Sequence, residues 1–156
     1  MKNWKEIVKI WKSKSYPGFD FFLPGPCSVK VLGELKGTWG IDPTDEFKSL
    51  YREFNGVGFR DSGLIKWLFV PAEDLPHFKV RITAWFKDSH PQIAERYFPF
   101  FDWDTSDSVG FLKSDTGEML PGLYEFSHEV YEFDSTQSYT DFIFKTSKSI
   151  EDFIKS

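Results

Sequence analysis

The sequence predicts an α+β fold. A single domain is expected, in which a central, mostly antiparallel sheet of about four to six strands carries helices from the N-terminal third and the C-terminus. Three observations point there. The stretch from Phe98 to Phe133 sets three apolar runs apart with two polar turns, the pattern of an antiparallel meander. Phe47, Leu50, Tyr51 and Phe54 fall at i, i+3, i+4 and i+7, a full amphipathic helical stripe. The chain has 156 residues, enough to bury roughly 68–70% of its unfolded surface in one core. Its 18 Phe, 6 Trp and 6 Tyr supply that core with large apolar side chains.

Taken in order, residues 3–13 place Trp4, Ile7, Val8, Ile10 and Trp11 at helical spacing with lysines between them. That predicts a helix packed on the domain; a basic amphipathic membrane helix is the sharper alternative, and the segment is short for it. Residues 15–27, with Pro17, Gly18, Pro24, Gly25 and Pro26, read as a loop anchored by Phe19, Phe21, Phe22 and Leu23. Ser28 is placed to cap a helix running to about Trp39, with Val31, Leu32, Leu35 and Trp39 on one face. Gly40-Ile41-Asp42-Pro43 breaks it. Thr44 or Asp42 then caps the amphipathic helix, and Asn55-Gly56 ends it, Gly56 being suited to a left-handed residue.

Residues 64–70 predict a strand that stops at Pro71, followed by a single helical turn over 72–75. Residues 78–87 alternate strictly. Phe78, Val80, Ile82, Ala84 and Phe86 stand against Lys79, Arg81, Thr83, Trp85 and Lys87, so period two predicts a half-buried strand. A helix around His90 to Arg96 is compatible with Pro91 in its first turn. In the meander, the turns are Asp102-Trp103-Asp104-Thr105-Ser106-Asp107 and Asp115-Thr116-Gly117-Glu118. Pro121-Gly122 predicts a bulge or turn in the return strand. Ser149, followed by Asp152, predicts a closing helix to Ile154.

The formal net charge is −5. Clustered Lys occurs only at Lys2, Lys5, Lys9, Lys12 and Lys14, so direct nucleic-acid binding is not expected. Cys27 is the single cysteine, which excludes an internal disulfide and a thiolate metal cluster. The opening Met-Lys-Asn-Trp-Lys-Glu has no signal-type apolar core, and no run approaches the ~18 apolar residues of a membrane span. A cytoplasmic location is expected.

The search for chemistry yields no catalytic, cofactor or metal site. His77, His90 and His128 do not pair at ligand spacing, and His128 beside Glu129 is the one worth testing. Asp102, Asp104 and Asp107 suggest a calcium loop, but positions six and twelve hold Asp107 and Lys113 where Gly and Glu are required. Side-chain turn formation explains these residues more simply. Enzymatic use of Cys27 or of paired carboxylates stays open as a third-ranked reading.

Two separated stretches together resemble the SUKH superfamily, known for bacterial toxin-immunity proteins and a fungal cell-wall-synthesis regulator. One runs from the helix of Val31–Trp39 through the break Gly40-Ile41-Asp42-Pro43 to the helix ending in Phe54-Asn55-Gly56. The other is the meander Phe98–Phe133, completed by the closing helix Ser149–Ile154. The resemblance covers about residues 28–156. Residues 1–27 have no counterpart in it, and the break carries Asp42 where the family usually has Leu.

The resemblance implies a non-enzymatic binding domain without cofactors, foremost an immunity protein that neutralises a basic bacterial toxin such as a nuclease. The alternative is a scaffold or regulatory module with a cellular protein partner. A monomer or weak dimer is expected. The residues expected to form the interface are Asp102, Trp103, Asp104 and Asp107, with Asp115 and Glu118, as an acidic rim around an aromatic anchor. The simpler reading of each carboxylate is a solvated turn, and of Trp103 a core contact.

Overall fold

The computed structural model describes residues 2–156. Helix α1 (Trp4–Ser15) is capped by Asn3, whose side chain accepts from the Glu6 amide, and it buries Trp4, Val8 and Trp11. Ser28 and Thr44 cap α2 (Val29–Thr38) and α3 (Asp45–Glu53), each accepting from the amide three residues on, as their positions predict. Helix α3 buries Phe47, Leu50 and Tyr51. At its end Gly56 takes φ +102. The Asn55 side chain accepts from the Ala72 amide at 2.9 Å and donates to Glu73 at 2.7 Å, so the helix end is tied to the chain beyond the first hairpin.

Among the described residues, seven strands form one antiparallel sheet in chain order: β1 (Asp20–Phe22), β2 (Val57–Asp61), β3 (Leu64–Phe69), β4 (Tyr97–Asp102), β5 (Ser108–Leu112), β6 (Leu123–Phe126) and β7 (Ile143–Ser147). That is one strand beyond the expected range. Strand β1 lies inside the segment read as a loop. The β2–β3 turn, Ser62-Gly63, has both residues at positive φ, the arrangement of a two-residue hairpin.

A short 3-10 turn (Ala72–Asp74), α4 (Leu75–Thr83) and α5 (Pro91–Arg96) connect β3 to β4, with Pro91 at the start of α5 as expected. Helix α6 (Ile150–Lys155) closes the chain, with Ser149 accepting from the Asp152 amide.

The strand expected over 78–87 is not formed: residues 75–83 are α4. Phe78, Ile82 and Phe86 are buried, while Val80 is 66% exposed. Buried positions at i, i+4 and i+8 follow a helix, and the alternating apolar set also contains them. Pro76 in the first turn suits a helix start and is out of place in a central strand.

Strand β4 is buried from Tyr97 to Phe101. Phe98 and Phe100 pack on Trp39 and Phe47, and Phe101 packs on Trp11 and Phe153, so α1, α2, α3 and α6 cover these aromatics. Tyr97 and Phe126 point the other way, onto Phe86 just past α4. The β4–β5 register shifts between Pro99 and Phe101, a bulge that brings Phe100 and Phe101 to the same face as Phe98, which is why Phe98-Pro99-Phe100-Phe101 does not alternate.

Glu46 locks α3 to α6 and to Lys2, just ahead of α1. Its carboxylate accepts from the Ile150 amide at 2.6 Å and the Glu151 amide at 3.1 Å, and meets the Lys2 ammonium at 2.6 Å. Two unpaired donors at the start of α6 are thereby satisfied by α3.

Candidate interaction surface

The first acidic turn lies between β4 and β5. Asp102 Oδ1 accepts from the Asp104 amide at 2.8 Å, the side-chain turn expected of this residue type. The remaining capacity of these carboxylates is taken by cations. Asp102 pairs with Arg81 at 3.0 Å and Asp104 with Lys66 at 3.1 Å. Asp107 accepts from the His128 amide at 2.9 Å and meets its Nδ1 at 2.5 Å. Lys66 is held above its ordinary lysine range, first by Asp104 and then by Asp61. The edge thus holds two carboxylate–cation pairs and one carboxylate hydrogen-bonded to His128. The solvent-exposed Lys66–Asp104 pair adds little to the stability of the fold.

The six residues expected at the interface are divided. Asp102, Asp104 and Asp107 converge on this turn. Trp103 turns towards α6, edge-on to Phe101 at 4.9 Å and Phe153 at 5.6 Å, and is 36% exposed. Asp115 and Glu118 sit in the β5–β6 turn, where the Ser114 hydroxyl accepts from the Thr116 and Glu118 amides. That turn is at the opposite end of β5, about 17 Å away at ~3.4 Å per residue. No single rim contains all six.

The turn opens instead onto a cleft of about 300 Å³ whose lining includes Lys66, Trp67, His77, Phe78 and Arg81 beside Asp102 and Asp104. His77 and Arg81 are four apart on α4 and so share its face. Sequence reasoning missed this contribution because a strand reading separates Phe78 from Arg81. The i, i+4 spacing of Phe78, Ile82 and Phe86 was the signal that would have placed it.

On its other side, the turn continues through His128 to a second opening. The His128 ring lies 5.4 Å from Trp85. Trp85 is 6.0 Å from Phe133, and Phe133 is 4.6 Å from Tyr131. Phe133 is 67% exposed and holds φ +57, a costly conformation for a bulky side chain, of order 1–3 kcal/mol. The loop enforces it. Gln137 donates to the Val130 carbonyl at 2.8 Å and accepts from the Glu132 amide at 2.9 Å, and the His90 ring meets the Gln137 carbonyl at 2.7 Å. The Tyr131 hydroxyl is pinned to Ser89 at 2.5 Å.

The groups considered for chemistry are differently placed. Cys27 is buried, and burial followed by the charge of Glu73 pushes its thiol up to about 11. A thiol held protonated is a poor nucleophile. Glu125, beside the acidic turn, is pushed up by burial and then by Asp107, against a pull downward from Trp103. Among the described residues no group of three or more His, Cys, Asp or Glu side chains is arranged to hold a metal ion. No described helix is long and apolar enough to cross a membrane.

No protein-family model matches the chain, and no curated protein matches it in sequence.

Proposed function

We propose that this chain is a non-enzymatic protein-binding domain of SUKH type, and that it serves as an immunity protein that binds and neutralises a bacterial toxin. The observation that carries the reading is the continuous surface from Lys66 and Arg81, across Asp102, Asp104 and Asp107, to Trp85 and Phe133. It combines what a specific protein interface uses: pre-positioned aromatic anchors and charged groups fixed in register by partners of their own. The order of elements supports the resemblance. A helix, a break and a helix ending at Asn55-Gly56 precede the β4–β6 meander, and α6 closes the chain. The protonated, buried Cys27 thiol weighs against the thiol-based enzyme reading.

The test is co-expression of this chain with the product of the adjacent gene, with growth and co-purification as readouts. Rescue of growth together with a stoichiometric complex is expected. A toxic neighbour that is neither rescued nor bound overturns the immunity reading. A non-toxic neighbour that binds tightly replaces it with the regulatory-module reading.

A further inference from the structure

We propose that the pocket formed by Trp85, Tyr131, Phe133 and Asp88 receives an arginine side chain of a protein partner. The inference rests on the reading of the chain as a protein-binding domain and names what that surface recognises. The pocket, about 370 Å³, is lined by these four residues with Ser89 and Ser135. Its chemistry is that of a cation site. The Trp85 and Phe133 rings stand 6.0 Å apart at 41°, and Tyr131 backs Phe133 at 4.6 Å. Three aromatic rings line one pocket, and aromatic surface of this kind is what a planar guanidinium stacks against.

Asp88 is exposed at the pocket and forms no ion pair among the described residues, unlike Asp102 and Asp104. A carboxylate beside aromatic faces is complementary to the fork of guanidinium donors. A neutral or acidic side chain finds no such match.

The backbone gives the independent reason to regard the pocket as built. A ring that is two-thirds exposed adds little to the core, yet Gln137, His90 and Ser89 hold its loop so that Phe133 keeps a positive φ. Fixing the ring in advance removes an ordering cost from binding.

The test is a titration of the full-length ¹⁵N-labelled protein with acetyl-Gly-Arg-Gly-amide, followed by the Trp85 indole and Phe133 amide resonances. Matching titrations use the citrulline and lysine peptides. Saturable shifts at Trp85 and Phe133 are expected with arginine, with roughly tenfold weaker responses to the uncharged citrulline analogue. Phe133→Gly, which suits the positive φ and so keeps the fold, and Asp88→Asn each reduce the arginine response at least severalfold. Equal responses to arginine and citrulline, shifts confined to another surface, or an unaltered response in Phe133→Gly overturn the proposal. A lysine peptide that matches arginine overturns the assignment to guanidinium. The titration requires no toxin. A silent pocket with intact growth rescue removes this inference alone, and a responsive pocket with no rescue removes the immunity reading alone.

Discussion

Lys79 ties the stability of the fold to pH in a direction opposite to that of most buried groups here. Its ammonium donates to the carbonyls of Ala94 at 2.8 Å, Glu95 at 3.3 Å and Tyr97 at 2.7 Å, and lies 4.2 Å from the centre of the Phe98 ring. It thereby ties α4 to the end of α5 and the start of β4. Burial nevertheless pushes it down to about 8 from 10.5. With the folded value below the unfolded one, the unfolded chain binds the proton more tightly between pH 8 and 10.5. Stability therefore rises with pH across that window. The rise between pH 8 and 9 is about 1 kcal/mol, from the two values and the linkage relation.

The Cys27 thiol acts the other way. Its folded value is raised to about 11, so its contribution is lost as pH climbs above 9. Urea unfolding at pH 8.0, 8.5 and 9.0 in a Cys27→Ala background isolates the lysine. The midpoint rises across the series, and the rise disappears when Lys79→Met is added. A flat or falling profile refutes the reasoning and shows that the three carbonyls and the Phe98 ring outweigh burial, and a slope that survives Lys79→Met refutes it by assigning the rise to another group.

Three further changes test the packing. Glu46→Ala unties α6 and strands two helix-end donors, which costs about 2 kcal/mol in urea unfolding with an unchanged slope; a loss under about 0.5 kcal/mol contradicts the lock. Gly56→Ala puts a Cβ 2.7 Å from the Phe69 carbonyl oxygen and 3.3 Å from the Trp67 ring at φ +102, and lowers stability by about 2–4 kcal/mol by the same measurement; an unchanged midpoint contradicts it. Phe133→Gly stays within about 1 kcal/mol of the parent, because relief of the left-handed backbone offsets the extra freedom of the unfolded chain and the lost ring contacts; a loss above about 2 kcal/mol makes Phe133 a structural residue.

What the sequence made legible was local. Caps at Ser28, Thr44 and Ser149, the stripe of α3, and the β4–β6 meander all declare themselves through short-range rules. The misses have physical causes. Strand β1 is three residues long, sits among prolines and glycines, and exists through its pairing with β2. The β2–β3 hairpin carried a readable signal in Ser62-Gly63, but β7 has a mostly exposed face and little apolar patterning. Helix α4 was hidden because Val80 and Ala84 are apolar residues on a solvent face, completing an alternation that burial does not respect.

The candidate surface was half legible for the same reason. Asp102, Asp104 and Asp107 share one turn, so adjacency in sequence was enough to group them. Arg81 and Lys66 reach that turn, and Trp85 reaches His128 beside it, through tertiary packing, and Asp115 and Glu118 are carried away by the length of β5.

The most direct test is the affinity of the adjacent gene product for three forms of this protein, measured by calorimetry after each is confirmed folded: the parent, Asp102→Lys/Asp104→Lys, and Asp115→Lys/Glu118→Lys. Binding through the surface around β4 and α4 predicts that the first pair loses affinity at least a hundredfold, about 2.7 kcal/mol, while the second stays within about threefold of the parent. Loss confined to the second pair, equal loss in both, or no binding by the parent contradicts it.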